Sequence, residues 1–328
     1  MLAVQSTARC GWVRPSVSAH QSASRHPEAR DRCAFYPGVV GVDTGSGLES
    51  RLLDHAWPLL AGRPLVALTG AGLSTDSGIP DYRGPGSPRA TPMTFGEFRS
   101  GEAARRRYWA RSHVGWARMR QAEPNAGHRA LASLEVSGRL RGVITQNVDG
   151  LHRAAGQRTV VDLHGRLAEV ICLDCRRRSP RPELQRRLAE LNPGFVETHG
   201  ADVASAPDGD AVLDSVAGFR VADCLACGGV LKPDVVFFGE NVPPDRVALC
   251  YAMVEALLPD SGPPGALLVA GSSLAVQSGL RFVRRAHKSG IPVVIVNRGW
   301  TRGDELATVK VDGGCSEILT ALARGLAQ

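Results

Sequence analysis

At residues 64–72 the chain reads PLVALTGAG, a short apolar run that ends in a glycine turn. A largely apolar run of this length is typical of a strand buried on both faces of a parallel sheet. Glycines behind such a strand let backbone amides approach a phosphate group, and the start of a following helix adds positive potential. The segment therefore predicts a strand, a ligand-binding turn and an α/β fold.

The same pattern recurs along the chain. Further strands are predicted at 142–147 (GVITQN), 266–273 (ALLVAGSS) and 291–299 (IPVVIVNRG), with helices over 48–61, interrupted at Pro58, 125–137, 182–191 and 277–289. The strands end in small or polar pairs, Thr69-Gly70, Gln146-Asn147, Gly271-Ser272 and Asn297-Arg298. In open α/β sheets, ligands bind beyond these carboxyl ends. We therefore predict a Rossmann-like, doubly wound parallel sheet with its site at the strand ends.

Composition narrows the class of protein. With 43% hydrophobic and 22% charged residues among 328, the chain is not a disordered polymer. It contains no apolar stretch near the ~18–20 residues that a membrane span needs. The net charge of +7 comes from 39 basic residues, of which only Lys232, Lys288 and Lys310 are lysines. Nucleic-acid binding could explain this charge, but the arginines are spread along the chain, which favours a GC-rich genome instead. Neither a membrane nor a nucleic acid is an expected partner.

Four of the eight cysteines form two Cys-x-x-Cys pairs, Cys172 with Cys175 and Cys224 with Cys227. Paired spacing in a chain without a secretion signal is typical of metal ligation in a reducing compartment. Four thiolates complete a tetrahedral zinc site and leave no position for water, so the expected zinc is structural. The segment between the pairs, 176–223, is longer than the usual ~15–20 residues, and unmetallated or redox-active pairs are the alternative.

Residues 1–40 differ from the rest of the chain. They are rich in arginine and serine, poor in acids, and have no apolar run suited to a secretory signal. We predict that they lie outside the fold, as a bacterial extension, an upstream start codon or a mitochondrial transit peptide. The arginine bias favours a bacterial, cytoplasmic protein, and a transit peptide would make it mitochondrial. The sheet domain is expected at 41–168 and 229–328, with a small zinc-binding module at 169–228.

Two further stretches carry polar residues after apolar segments. TQNVDGLH (145–152) contains Asn147 and Asp149, a pattern that alone fits a capping motif. His164 in VDLHG follows another apolar segment, where a histidine is more often packed than catalytic. The turn after residue 69 departs from the dinucleotide fingerprint, because its third glycine position holds Thr75. An ordinary dehydrogenase is therefore not favoured.

The joint order of these motifs resembles the sirtuins, NAD-dependent protein deacylases, over residues 45–325. The resemblance rests on Gly70-Ala71-Gly72-x-Ser74, Gly78-Ile79-Pro80-Asp81-Tyr82-Arg83, Thr145-Gln146-Asn147-Val148-Asp149, His164-Gly165, the four cysteines, KPDVVFFGE (232–240) and Gly271-Ser272-Ser273-Leu274. The stretches 107–128 and LKPDVVFFGE resemble the class II branch, which includes a lipoamidase-type member and many actinobacterial proteins.

The resemblance implies an enzyme that moves the acyl group of an acyl-lysine protein or peptide to the ADP-ribose of NAD and releases nicotinamide. His164 would be the general base, and Asn147 would orient the ribose or a water. The co-substrate is then NAD, and one structural Zn2+ would be bound by the cysteines. The expected NAD-binding residues are Gly70, Ala71, Gly72, Ser74, Ile79, Asp81, Tyr82, Arg83, Gln146, Asn147, Val148, Asp149, Gly271, Ser272, Ser273, Asn297, Arg298, Gly299 and Cys315.

The resemblance also implies how this set is divided along the cofactor. Gln146 and Asp149 would hold the ribose and nicotinamide side, and Ile79 and Asp81 the nicotinamide pocket. The phosphates would face Ala71, Arg83 and Ser272, and the adenosine would be bordered by Asn297, Arg298 and the backbone at Cys315. Two rival histidines, His128 and His152, lie near predicted helix starts and are expected to cap or pack.

The resemblance places an edge strand at Val235–Glu240, where an extended acyl-lysine peptide would add by β-augmentation. Its members are Val235, Val236, Phe237, Phe238, Gly239 and Glu240. Desuccinylase-type sirtuins carry a Tyr-x-x-Arg pair nearby, whereas PGSPRATPMTF (85–95) contains Arg89 but no tyrosine, so an acidic acyl group is not expected. Alternative activities are protein mono-ADP-ribosylation and lipoamidase activity, and a zinc-ribbon nucleic-acid-binding module is the alternative from another class.

Overall fold

The computed structural model describes residues 39–40, 55–84, 92–200, 206, 208–213 and 215–326. Within these ranges no helix is both long and apolar enough to span a bilayer. The predictions for residues 1–38 and for the start of the helix over 48–61 fall outside the described residues, as does Arg89.

Ten strands are described, and seven of them form one sheet. In chain order they are β1 Val39–Val40, β2 Leu65–Thr69, β3 Leu140–Thr145, β4 Val160–Asp162, β5 Gly165–Cys172, β6 Arg178–Pro180, β7 Leu231–Val235, β8 Ala266–Ala270, β9 Val293–Val296 and β10 Val309–Val311. The large sheet has the order β1-β10-β9-β8-β2-β3-β4, with every neighbouring pair parallel. The predicted parallel sheet is confirmed, and its four predicted strands are β2, β3, β8 and β9.

Helices lie between and after these strands. Those described are α1 Trp57–Leu60, α2 Phe95–Arg99, α3 Glu102–Gln121, α4 Ala126–Val136, α5 Leu151–Ala154, α6 Arg181–Leu191, α7 Phe195–His199, α8 Pro244–Glu255, α9 Gln277–Lys288 and α10 Cys315–Leu326. The side chain of Asn125 accepts hydrogen bonds from two N–H groups of the first turn of α4, so this helix begins where the sequence predicts. Pro58 lies in the first turn of α1. Residue 55 is helical and residue 56 is a turn, so the helical segment is interrupted just before Pro58, as predicted. The helix can begin again at Trp57 because a proline in the first turn removes no helical hydrogen bond.

Helices cover both faces of the large sheet because its strands are apolar on both sides. In β2, Leu65 and Ala67 pack with residues of α4 and α10, while Val66 and Leu68 pack with residues of α8 and α9. All four side chains are at most 1% exposed. This two-sided burial explains why the strands read as continuous apolar runs in the sequence.

The strand order reverses between β2 and β8. The sheet continues from β2 to β3 and β4 on one side, and from β8 to β9, β10 and β1 on the other. A reversal of this kind opens a crevice at the carboxyl ends of the two central strands. Those ends are followed by Gly70 and Gly271, both singled out from the sequence.

A second hydrophobic core lies outside the large sheet. It combines the antiparallel sheet β6-β5-β7 and α6 with buried residues of α2 and α3, and we call this assembly the small lobe. The prediction limited the small module to 169–228, whereas the structure adds α2 and α3 to the same core. The reason is that a three-stranded sheet needs a second layer to bury its apolar face. Trp109 of α3 supplies part of it and donates from Nε1 to the carbonyl of Leu231 at 3.1 Å.

One edge of the large sheet reaches into the segment predicted to lie outside the fold. Val39 and Val40 pair in parallel with Lys310 and Val311 of β10. Residues 39 and 40 therefore belong to the sheet, although the prediction placed them outside the fold. This short apolar strand covers backbone groups that β10 would otherwise leave open.

Candidate functional site

A cavity of ≈ 1200 Å³ lies at the carboxyl ends of the large sheet and extends to the small lobe. Its volume exceeds the ~300–1,000 Å³ of common small-molecule pockets, which leaves room for a dinucleotide and part of a second ligand. All the residues predicted to bind NAD or peptide line this cavity, and so does His164. The cysteines at 172, 175, 224 and 227 lie elsewhere.

The floor of the cavity is a close contact between two glycine turns. Gly72 donates from its backbone N to the carbonyl of Gly271 at 2.8 Å. A Cβ on Gly70 would lie 2.8 Å from that oxygen, and one on Gly271, whose φ is +63°, would lie 2.2 Å from the backbone N of Leu73. Any larger residue at these positions would separate the turns, so the glycines keep bare backbone facing a ligand.

No full helix follows the first of these turns. The structure has two 3₁₀ turns instead, Ala71–Leu73 and Thr75–Ser77. Ser, Thr, Asp and Gly are frequent in this segment and favour turns over a longer helix.

Asn147 is held by a chain of hydrogen bonds. Its Nδ2 donates to the carbonyl of Gly70 and to Ser74 Oγ, both at 3.0 Å. Ser74 Oγ donates to Asp149 Oδ2 at 2.7 Å, and the other oxygen of Asp149 accepts from the backbone N–H of Leu151 at 2.9 Å. Both N–H groups of the Asn147 amide are therefore used, and its Oδ1 is left for a ligand. Asp149 is engaged on both oxygens and acts on Asn147 through Ser74.

Gln146 joins the ends of neighbouring strands. Its Nε2 donates to the carbonyl of Thr69 at 3.2 Å and to Ser272 Oγ at 2.9 Å. These bonds tie β3 to β2 and to the turn after β8. The side chain of Gln146 therefore holds the strand ends together at the switch point, where the strand order reverses. The backbone carbonyl of Gln146 remains available to bond His164.

His164 follows β4 and faces the cavity as a neutral base. Its Nδ1 lies 2.9 Å from the carbonyl oxygen of Gln146, which can only accept, so Nδ1 carries the proton and Nε2 is the basic nitrogen. Ser278 Oγ donates to Nε2 at 2.8 Å. Burial lowers the pKa of His164 to about 4; the bond to Gln146 opposes this shift, and the charge of Arg246 adds to it. The ring is therefore uncharged near pH 7.

The rival histidines lie behind the cavity wall. His128 Nδ1 is 3.0 Å from Asn125 Oδ1 in the cap of α4, and His152 Nε2 is 2.9 Å from Thr69 Oγ1. The two rings contact each other edge to face, with centroids 5.0 Å apart. Burial lowers the pKa of His128 to about 4 and that of His152 to about 3. Capping and packing, the roles expected of them, are what their contacts provide.

The edge strand predicted over Val235–Glu240 is wrong beyond its first residue. Strand β7 ends at Val235, and Phe238 forms only a single bridge with Thr94. The backbone N of Val236 donates to the carbonyl of His164 at 2.8 Å, so this segment is joined to the candidate base.

The same segment is held from inside by a buried ion pair. Glu240 Oε2 accepts from Lys232 Nζ at 3.0 Å and from the backbone N of Phe237 at 2.9 Å. Lys232 is 3% exposed, donates also to the carbonyl of Val235, and lies 4.7 Å from the ring centroid of Phe237. This pair curls residues 236–240 around the lysine, which is the physical reason that they leave the strand.

The cavity end at β9 and β10 contains the residues predicted to border adenosine. Asn297 Nδ2 donates to the carbonyl of Arg298 at 2.7 Å, and Cys315 Sγ lies 3.7 Å from the carbonyl of Val296. Burial raises the pKa of the Cys315 thiol to about 12. On the phosphate side, Arg83 Nη1 reaches Ser273 Oγ at 3.4 Å. Asn297 and Cys315 are thus engaged within the protein.

The four cysteines converge beside the paired ends of β5 and β7. Their Sγ atoms all lie within 4.8 Å of one another, with Cys172 to Cys227 at 3.6 Å and Cys175 to Cys224 at 3.8 Å. Four thiolates at ~2.3 Å from one ion would lie ~3.8 Å apart in a tetrahedron. The donor set therefore fits a closed, structural zinc site.

Several residues that line the cavity were not singled out from the sequence, among them Tyr108, Asp208, Ser278 and Trp300. Ser278 carried a usable signal, because it opens the predicted helix α9, and helix starts in such sheets face the strand ends. Trp300 directly follows the predicted Gly299. Asp208 lies in a polar stretch without periodicity, and Tyr108 in α3, so neither had a signal that located it at the site.

Comparisons with known proteins identify relatives of this chain. Residues 70–278 match the model of the Sir2 family. NAD-dependent protein deacetylase 1 of Mycobacterium avium is 58% identical over 267 residues, which are 81% of this chain and 92% of that protein. NAD-dependent protein deacetylase 1 of Streptomyces coelicolor is 56% identical over 289 residues, 86% of this chain and 92% of that protein.

Solved structures resemble the fold over the same extent. A complex described as Sir2, p53 peptide and NAD+ covers 83% of this chain and 98% of its own, with a TM-score of 0.62 and 30% identity. A structure described as the basis for sirtuin substrate affinity covers 84% of this chain and 99% of its own, with a TM-score of 0.64 and 29% identity.

Proposed function

This chain belongs to the Sir2 family, and on that basis we propose that it is an NAD-dependent protein deacetylase that moves a lysine-bound acyl group to ADP-ribose and releases nicotinamide. The observation that carries the proposal is that a neutral base, His164, and the glycine turns of the switch point line one cavity. The bacterial relatives support the predicted bacterial origin, and a cytoplasmic location stays a prediction.

The residues around the switch point fit NAD. Glycine backbone without side chains forms the floor of the cavity. In sheets of this kind the two nucleotides of a dinucleotide lie on opposite sides of the place where the strand order reverses. The side of β3 and β4 carries Asn147 and His164, so the reacting ribose belongs there. When bound, NAD supplies the ribose carbon from which nicotinamide leaves and to which the acyl oxygen bonds.

His164 would accept a proton from a ribose hydroxyl. Its Nε2 is the ring nitrogen that carries the basic lone pair, because Nδ1 is protonated and donates to Gln146. Ser278 now donates to Nε2, and a ribose hydroxyl would take over that position. The low pKa keeps the ring neutral, and hence able to accept a proton, at every pH well above 4.

Asn147 would present its Oδ1 to the ribose or to a water. The two hydrogen bonds donated by Nδ2 fix the plane of the amide. The direction of Oδ1 is therefore fixed as well. Asp149 and Gln146 act here as positioning residues, the first through Ser74 and the second by holding the strand ends and His164. This assignment differs from direct ribose contact, which the family resemblance suggests for both.

The peptide would lie along residues 236–239, whose backbone leaves β7 beside the base. Phe238 is 40% exposed there and offers an apolar contact. The acyl group would enter the part of the cavity lined by the small lobe, where Met93, Tyr108, Leu167 and Asp208 lie. These four residues include no lysine or arginine that would pair with the charge of a succinyl group. A neutral acyl group such as acetyl is therefore favoured.

The zinc site would be structural. Four cysteine thiolates would complete the coordination of one Zn2+ and join the ends of β5 and β7. The ion would stabilise the small lobe that carries the peptide-binding segment, without contact to the reacting groups.

The test is incubation of the purified chain with NAD and acetyl-, succinyl- or lipoyl-lysine peptides. Mass spectrometry would follow nicotinamide, O-acyl-ADP-ribose and any ADP-ribosylated protein. We expect O-acetyl-ADP-ribose in step with nicotinamide and little turnover of the succinyl peptide. Nicotinamide release with ADP-ribosylated protein and no acyl-ADP-ribose would contradict the proposal.

A further inference from the structure

Trp300 is 74% exposed, which is the highest exposure of any large aromatic side chain in the described residues. It follows β9 and lines the cavity together with Asn297, Arg298 and Gly314. In the described part of the chain its indole makes no hydrogen bond and no ring contact. A large aromatic surface is usually buried in protein or against a bound partner. We therefore expect a bound ligand to cover the indole of Trp300 inside this cavity.

The backbone on both sides of the tryptophan is fixed. The N–H of Gly299 donates to both carboxylate oxygens of Asp312, at 3.1 and 3.2 Å, and its carbonyl accepts from Lys310 Nζ at 2.6 Å. On the other side, Thr301 is fully buried and its N–H donates to Asp304 at 3.1 Å. Lys310 and Asp304 are themselves paired at 2.7 Å. Because the backbone is already fixed, a ligand that covers the indole has to order only the side-chain torsions of Trp300.

The position of Trp300 in the fold indicates which half of NAD it would contact. With the reacting ribose on the side of β3 and β4, the other nucleotide of NAD lies beyond β9 and β10. The side chains of Asn297, Asp312 and Cys315 at this end already bond within the protein. The face of the indole is free, and a purine stacks on such a face without needing those hydrogen bonds.

We propose that Trp300 stacks on the adenine of NAD and supplies a large part of the affinity for the adenosine half. This inference rests on the proposed function, because it takes the dinucleotide and its direction from there. It assigns a binding role to the aromatic side chain itself, in addition to the neighbouring backbone.

The test compares Trp300→Ala and Trp300→Phe with the wild-type full chain. Val136→Ala is the matched control, since Val136 is an apolar side chain that is 80% exposed outside the cavity. Calorimetric titration with ADP-ribose should show about a 10-fold loss of affinity in Trp300→Ala and a smaller loss in Trp300→Phe. The KM for NAD should rise in parallel, while kcat and the KM for the acetyl peptide stay unchanged. Circular dichroism and zinc content would establish that each variant is folded.

The outcomes separate the two proposals. If the wild-type chain neither binds ADP-ribose nor consumes NAD, the proposed function fails. If it deacetylates and Trp300→Ala binds ADP-ribose as tightly as the wild type, only the role of Trp300 is overturned. Equal losses in Trp300→Ala and Trp300→Phe would also overturn it, because a phenyl ring retains part of the stacking surface.

Discussion

The imidazole of His164 donates from Nδ1 to the backbone carbonyl of Gln146, 2.9 Å away. Gln146 in turn binds the carbonyl of Thr69 and the hydroxyl of Ser272. The base is therefore anchored to the ends of β2, β3 and β8 rather than to a loop. Its tautomer and its distance from the glycine turns follow from the geometry of the sheet.

Replacing His164 by alanine should remove the base and leave the fold intact. We expect kcat to fall by about 10²–10⁴-fold, with unchanged zinc content and nearly unchanged affinity for ADP-ribose. The matched control is His287→Ala, which alters an exposed histidine of α9. Near-normal formation of O-acetyl-ADP-ribose by His164→Ala would show that another group is the base.

Replacing Cys175 by alanine should lower metal content and stability together, because metal binding at such sites is coupled to folding. We expect about one zinc per wild-type chain and a markedly lower Tm for the variant. Cys250→Ala is the control, since this buried thiol lies outside the cluster and its loss should leave the metal content unchanged. Wild-type protein with less than ~0.2 zinc per chain would rule the site out.

Removing the buried pair in Lys232→Met/Glu240→Ala should loosen the peptide-binding segment. The double variant avoids an unpaired buried charge, and it takes away the acceptor of the Phe237 N–H. We expect the KM for the acetyl peptide to rise several-fold while the KM for NAD changes little. The control removes the exposed pair of α3, in Glu102→Ala/Arg106→Ala. An unchanged peptide KM in the folded double variant would contradict this role.

His152 should make the protein less stable as the pH falls. Its folded-state pKa is about 3, below the ~6.5 of an unfolded histidine, so below pH ~6.5 the unfolded chain binds more protons. Its contribution to the free energy of unfolding should therefore decrease by roughly 2 kcal/mol between pH 7.5 and pH 5. Burial raises the pKa of Asp149 and Asp210. These two carboxyls therefore increase the free energy of unfolding as the pH falls, opposite to His152.

The comparison of His152→Gln with the wild type isolates the histidine. Urea unfolding at pH 7.5 and pH 5 should show a smaller loss of stability in the variant, and His287→Gln should follow the wild type. Equal losses in all three proteins would show that His152 does not titrate between the two states.

The sequence predicted the sheet because burial on both faces leaves continuous apolar runs, as in Ala266–Ala270. It predicted α4 because Asn125 is a capping residue at the start of a periodic segment. It could not predict the extent of the small lobe, because the contact of Trp109 with Leu231 joins residues 122 positions apart. The sequence also did not show that the chain leaves the strand after Val235. An apolar run does not reveal that the buried Lys232 bonds the carbonyl of Val235 and the carboxylate of Glu240.

Within the site, motif order brought together the residues that line the cavity, but it did not reveal which of them touch each other. Asp149 and Asn147 are two residues apart in sequence, yet their connection runs through Ser74, more than 70 positions away. Trp300 had no motif, because exposure on a fixed loop is a property of the folded chain alone.

The separation of the cysteine pairs has a consequence during synthesis. Cys175 and Cys224, whose sulfurs end 3.8 Å apart, are 49 positions apart in the chain. At the usual ~5–20 residues per second, the first pair leaves the ribosome roughly 3–10 s before the second. For that interval two thiols of a nascent chain are without their partners and open to oxidation or to the wrong ion. The yield of folded protein should therefore depend on the zinc supply and redox state of the cell while the chain is being made.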